Sequence, residues 1–474
     1  MNLPTEGKTK QCVSNSVRLI RGLAARFRCA LPALYIPWSV PFLLTLSWLT
    51  PPFQNPDEVN HYLRAVQIAR GELAGYRLSG PNWVSPPNSG GHSDPGVITA
   101  SDPFAHVKFN PQQQVHRSDF RAASSTGFGG NELIGFGNTA TYPPFLYLPS
   151  VLAIWIGQAA KMTILTTLYL SRAANGTAAL LISSLAISFA CRTRWVIAAL
   201  AMLPMTSALY VSASQDALII SLTLLVVGIV DRIGTERRPA AGIERTAIFL
   251  AASLIGMARP PYSVIALLPL AISVGSVRRE FSLVIGIVSC IAAWTIFSTK
   301  VASVDMNGAD PEVQIAYIFR RPFDLVPIAW RTLTEFSGNY CREFIGVLGW
   351  LDTALPNWFV HGACIALAAS LLGVCASGPG PRPWLALVIA VLGSGAVFGA
   401  LYLTWTRPLA PLVDGVQGRY FIPLAPVAAL SLPAAPRFIR PLLPWLSMAG
   451  ILFLAIFVPS VVIRCIAFRY YLGG

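Results

Sequence analysis

Residues 33–50, ALYIPWSVPFLLTLSWLT, run directly into residues 51–71, PPFQNPDEVNHYLRAVQIARG. The first stretch carries no charge and approaches the roughly 20 residues that cross a hydrocarbon layer about 30 Å thick. The second opens on two prolines, turns polar, and reads as a short helix. Asn55 stands at the cap, Pro56 in the first turn, Glu58 where a capping-box acid would sit, and Gly71 at the close. Within it Val59, Tyr62, Leu63, Val66 and Ala69 recur at spacings of three and four, an apolar stripe suited to a membrane surface or to neighbouring helices. Asp57, His61 and Arg64 fall on another face, one turn apart.

Outward from this junction the apolar pattern repeats. Segments fall at about 143–160, 168–190, 195–211, 213–230, 245–257, 261–276, 281–298, 357–376, 384–403, 419–433 and 441–463. A chain of 474 residues that is 54% hydrophobic and 12% charged is not an ordinary soluble globule, whose charged fraction is about a quarter. The predicted fold is an all-α polytopic membrane protein with about 11 or 12 membrane-embedded helices. The net charge of +14 then reads as a topology signal rather than as an affinity for nucleic acid, because Lys and Arg gather in cytoplasmic loops.

The basic residues Lys8, Lys10, Arg18, Arg21, Arg26 and Arg28 precede the first apolar run, with no small-residue cleavage site between them. Residues 1–31 read as a basic cytoplasmic N-terminus ahead of a retained anchor. Residues 32–474 form a single transmembrane domain in the plasma (inner) membrane, with long extracytoplasmic loops at 51–142 and 299–356. Basic clusters at Arg192 and Arg194, at Arg232, Arg237 and Arg238, at Arg278 and Arg279, and at Arg437 and Arg440 lie outside if every segment crosses. They all lie inside if the proline-rich segment 143–160 does not cross. The second arrangement is preferred, although it leaves Arg464 and Arg469 outside. It puts loop 51–142, Ser214–Asp216, Arg259–Tyr262, loop 299–356 and Thr404–Tyr420 on one extracytoplasmic face. The eight cysteines are scattered singly, with neither metal-ligand spacing nor a disulfide framework, and read as buried small apolar residues.

Seven blocks in order, PPFQNPDEVNHYLR (51–64), TYPPFLYLP (141–149), SRAANG (171–176), SQDA (214–217), ARPPY (258–262), GVLGWLDTALP (346–356) and GVQGRYFIPLAP (415–426), resemble a family of bacterial predicted membrane proteins of unknown function, related to the GT-C superfamily of integral membrane glycosyltransferases. The resemblance covers most of the chain. It implies transfer of a sugar from a polyprenyl-phosphate carrier to a glycan, lipid or protein acceptor on the extracytoplasmic side, with inversion and with an acid of the first outer loop as base. By that analogy Asp57 is the first choice of base and Glu58 the second. Both acids also suit the positive end of a helix. A transporter or flippase of envelope polymers and a non-catalytic assembly subunit are the alternatives.

A lipid-phosphate donor needs a cation at headgroup level. Arg419, between Gln417 and Tyr420 in the QGRYF block, suits that role, or equally that of an interfacial anchor. Arg259, with Tyr262 beyond two prolines, marks either a broken helix lining a cavity or a plain hairpin turn. Asp216 reads as a helix cap behind Ser214, with a binding role as the alternative. Trp350 and Asp352 of GWLD either shape an acceptor cleft or form a turn. His61 and Arg64 complete the candidate substrate contacts; His61 suits orienting a carboxylate or binding a metal, and a lone His of this kind is more often a hydrogen-bonding surface residue. A divalent cation is compatible with the resemblance but not indicated by ligand spacing.

Overall fold

The computed structural model describes residues 6–79, 88–272, 276–304, 307–378, 380 and 382–472, with side chains from residue 22 onward. The side chains of Lys8, Lys10, Cys12, Arg18 and Arg21 lie outside the described residues, as do residues 273–275 of the segment expected at 261–276. The protein is helical throughout, apart from two small sheets.

Seven described helices are long and apolar enough to cross a membrane: Gly22–Leu49, Ile164–Phe189, Asp216–Glu236, Val277–Ala302, Asn357–Cys375, Pro383–Thr404 and Leu443–Leu472. Asp216–Glu236 is the most enclosed and forms the centre of the bundle, packed along Ile164–Phe189. The other expected apolar segments are helical but shorter or broken. Segment 195–211 divides at Pro204 into Arg194–Ala201 and Pro204–Tyr210. Proline has no N–H to continue a helix and drives the residue before it out of helical space; Leu203 is extended at ψ 146°. The double proline 260–261 has the same effect. Arg259 is extended (φ −140°), and Pro260–Ala271 winds as a 3₁₀ helix. Pro144–Ala159 is also too short to count among the seven.

The loop 51–142 is folded rather than open. Its helix Glu58–Ala69 packs on helix Leu148–Ala159 and on strand Asn88–Ser93. That strand is the middle of a three-stranded antiparallel sheet, pairing Tyr76 with Gly90 on one side and Gly90 with Gly135 on the other. A second antiparallel pair, Val347–Leu348 with Thr353–Ala354, makes GWLD a hairpin whose turn holds Gly349 and Leu351 at positive φ.

The bundle has two chemically distinct ends. At one end Arg194 donates to the Arg28 carbonyl, and Arg192 donates to that of Leu432. There Asp231 Oδ2 accepts from the N–H groups of Cys191, Arg192 and Thr193. At the other end lie loop 51–142 and the C-terminal turn, where Arg469 donates to the carbonyls of Val107, Asn110 and Gln113 and to Asp352. The seven described cysteines are free, and each is exposed or half-buried, a correction to the reading of them as buried residues: six sit at helix positions that the bundle does not enclose, and Cys191 in the turn after helix Ile164–Phe189.

Candidate functional site

At the end that carries loop 51–142, a cavity of about 750 Å³ opens between that loop and the bundle. Asp57 lines it at the start of the short helix, Arg259 at the proline break, Thr299 at the end of helix Val277–Ala302, Leu401 on helix Pro383–Thr404, and Gln417 and Arg419 in the QGRYF turn. Stretches far apart in sequence therefore converge on one space with an apolar flank and a polar flank.

Asp57 is the N-cap of helix Glu58–Ala69, in a left-handed conformation (φ 56°, ψ 15°), and its side chain caps nothing. Asn and Asp are the non-glycine residues that most readily accept this conformation. The side chain is 40% exposed. Oδ1 accepts from Asn138 Nδ2 at 3.1 Å, Asn138 in turn accepts from Asn60 at 2.7 Å, and Oδ2 lies 4.0 Å from Arg419. The capping box anticipated from Asn55 and Glu58 does not form, because Asn55 turns its amide to the Glu58 carboxylate instead.

Glu58 points the other way, fully buried, and does not line the cavity. Its carboxylate takes both arms of Arg172 (2.9 and 2.6 Å), the Asn55 amide and the Ala213 N–H. Arg172 also donates to the carbonyls of Ser47, Thr50 and Pro51. The pair thus joins the end of the first helix, the start of the short helix, helix Ile164–Phe189 and the turn before Asp216.

Arg419 is 5% exposed, yet its Nε has no hydrogen-bond partner among the described residues, and the carboxylate within ion-pair reach is that of Asp57. It is held there by its neighbours. The Gly418 N–H donates to Glu343 at 2.6 Å, and a Cβ on Gly418 would fall 2.0 Å from the Tyr340 carbonyl oxygen, so only glycine lets the turn pack this closely. Tyr262 donates to the Tyr420 carbonyl at 2.8 Å, and Gln417 Oε1 is buried without a partner among the described residues.

Arg259 is sandwiched between the rings of Tyr142 and Tyr420, at 5.5 and 5.4 Å, and pairs with Asp216 at 3.0 Å. The cap anticipated for Asp216 is absent: its side chain serves the arginine. Lys108 adds a third cation, its ammonium 3.6 Å above the Trp350 ring, and partial burial lowers its pKa against the opposing pull of Asp57. His61 lines the cavity, with Nδ1 2.7 Å from the Tyr147 hydroxyl. Burial pushes its pKa down to about 4, so it is neutral at pH 7.

Arg64 and Asp352 lie away from this cavity. Arg64 is fully buried, donating to Gln67 and to the carbonyls of Leu73 and Tyr142. Asp352 is taken by Arg469 at 2.8 Å, while its hairpin neighbours Trp350 and Leu351 do line the cavity. Sequence reasoning missed Lys108 and Asn138, which carry no local signal, and gave no role to Tyr142, although it lies in the TYPPF block. Among the described residues no group of three or more His, Cys, Asp or Glu side chains is placed to hold a metal ion.

No curated protein and no solved structure matches the chain. The family model described as Predicted membrane protein (DUF2142) matches residues 42–428, a span that takes in every cavity residue named above. The chain therefore belongs to that family of predicted membrane proteins.

Proposed function

We propose that the protein is an integral membrane glycosyltransferase that takes a sugar from a polyprenyl-phosphate carrier and passes it to a cell-envelope acceptor. The observation that carries this reading is one part-exposed carboxylate, Asp57, facing one buried and under-bonded guanidinium, Arg419, across a cavity with both apolar and polar walls. A buried cation short of hydrogen bonds is a strong site for an anion, and a guanidinium fork suits phosphate oxygens. The apolar flank contributed by Leu401 and Val397 suits the first isoprenoid units beside that phosphate.

In the step proposed, the acceptor hydroxyl gives its proton to Asp57 as its oxygen bonds to the anomeric carbon. The bond from that carbon to the phosphate oxygen breaks with its electron pair on the phosphate. Arg419, assisted by Lys108 and Arg259, offsets the charge that collects there. Asn138 positions the Asp57 carboxylate, and Glu58, saturated by Arg172, anchors the helix. The basic end of the bundle lies opposite the cavity. The tendency of Lys and Arg to stay in the cytoplasm thus supports an extracytoplasmic site and a cytoplasmic N-terminus.

The test is transfer from radiolabelled polyprenyl-phosphate sugars to envelope extract by purified protein. Asp57→Asn keeps a residue that tolerates the left-handed backbone and removes the base. Transfer should fall about 10²- to 10⁴-fold at equal folded protein. A variant that is folded and fully active would overturn the assignment of Asp57.

A further inference from the structure

Asp57, Lys108 and Trp350 also line a second, smaller cavity of about 250 Å³, on the side of Asp57 that faces loop 51–142. The two cavities thus share one wall, and the carboxylate stands in it. The rest of the smaller cavity has a distinct composition: the amides of Gln54 and Asn60, the hydroxyl of Ser101, and the rings of Phe53 and Phe104.

Gln54 is 2% exposed. Its Nε2 donates to the Phe104 carbonyl at 3.0 Å, while its Oε1 has no partner among the described residues. An amide oxygen buried beside a cavity is an acceptor that a ligand O–H or N–H would satisfy. Asn60, which lines the space, commits its Nδ2 to Asn138 and its backbone carbonyl to Thr139, which leaves its side-chain Oδ1 as a further acceptor. The wall thus asks its occupant for donors. Charge narrows the choice further. Among the described residues, the one carboxylate of this wall is Asp57 and the one ammonium is Lys108, which is drawn onto the Trp350 ring. Among the described residues no guanidinium and no second carboxylate lines the space, and the Lys108 ammonium is held over the Trp350 ring and countered by Asp57, whose charge opposes an acidic group. Amide oxygens, a hydroxyl and flat apolar rings are what a sugar ring offers its hydroxyls and its C–H face to.

We infer that the smaller cavity is the acceptor subsite, and that it takes a single neutral pyranose at the end of a glycan, with one hydroxyl directed at Asp57. This rests on the transferase reading for its place in the reaction, but not for the binding itself. Gln54, Asn60 and Ser101 are binding residues of this subsite. The larger cavity, with its three cations, is left to the phosphate-bearing donor.

The experiment is saturation-transfer-difference NMR on the detergent-solubilised full chain, with methyl β-D-glucopyranoside, methyl α-D-mannopyranoside and methyl β-D-galactopyranoside as neutral probes and methyl β-D-glucuronide as the charged one. At least one neutral glycoside should bind, and the glucuronide should bind at least about 10-fold more weakly. Ser101→Trp, which fills the space, and Gln54→Met, which removes the free acceptor, should each abolish the signal. Two variants guard against one that fails to fold, with equal near-ultraviolet circular dichroism as the criterion. Absence of binding by every neutral probe, or binding that survives both folded variants, overturns the inference. The transferase reading fails separately. Glycoside binding with this mutational pattern, but no transfer from any polyprenyl-phosphate sugar, removes the transferase and keeps the sugar subsite. Asp57-dependent transfer whose acceptor KM is unmoved in Ser101→Trp keeps the transferase and removes the subsite.

Discussion

His61 is pushed down to about 4 by burial against an ordinary value of 6.5, and this has a signed consequence. Between these two values the unfolded chain binds a proton that the folded chain does not, so stability rises with pH across that window and is lost as pH falls from about 6.5 to about 4. The loss reaches on the order of 3 kcal/mol at about one and a third per pKa unit. Melting followed by tryptophan fluorescence in detergent should show an acid-side fall that is reduced in His61→Gln, and an unchanged fall would assign the effect to other groups. Glu58 carries a larger penalty. Removing one partner of a fully buried, hydrogen-bonded ion pair strands the other, at a cost of about 3–5 kcal/mol. Arg172→Met and Glu58→Gln should both lower the melting temperature sharply at all pH values where the wild type is folded. If Glu58→Gln instead melts like wild type while losing transfer, Glu58 is chemical rather than structural.

At the scale of elements, the QGRYF turn depends on how closely it can approach helix Leu325–Gly346. Gly418→Ala places a methyl 2.0 Å from the Tyr340 oxygen and 2.7 Å from the Phe344 nitrogen. Neither backbone atom can yield cheaply, so the turn must shift, at about 1–3 kcal/mol for overpacking. Arg419 shifts with it. The expected result is weaker binding of polyprenyl phosphate, read by tryptophan quenching, in protein that still folds; unchanged affinity would show that the turn tolerates the methyl. The sequence foretold some of these elements and not others, for physical reasons. Long apolar runs announce spanning helices because lipid leaves a backbone no partner but itself. Prolines announced the break at Pro260, whereas 195–211 reads as one segment although Pro204 divides it. The capping signals at Asn55 and Asp216 misled, because a buried arginine competes for a carboxylate more strongly than a helix terminus does, and Arg172 and Arg259 arrive from distant segments. The same distance hid Lys108 and Asn138. The small sheet in loop 51–142 was hidden because NSGGHS shows no alternation of apolar and polar residues.

For the whole molecule, the separation of a basic end from a cavity-bearing end predicts orientation. In a cysteine-free background, Gln112→Cys and Leu472→Cys should react with a membrane-impermeant maleimide on intact cells, whereas Ile243→Cys should react only after permeabilisation. Labelling of Ile243→Cys alone on intact cells would invert the protein. The Arg172 cluster bears on how substrates enter. It welds the first helix, the start of helix Glu58–Ala69, helix Ile164–Phe189 and the turn before Asp216 through seven hydrogen bonds, five from Arg172 to Glu58 and to three carbonyls and two that Glu58 accepts from Asn55 and from the Ala213 N–H. Asp57 therefore rides on an anvil, not on a lid. If the proposed isoprenoid donor is the substrate, the element that opens to admit it is to be sought in the facing wall, helices Val277–Ala302 and Pro383–Thr404, while the carboxylate stays in place.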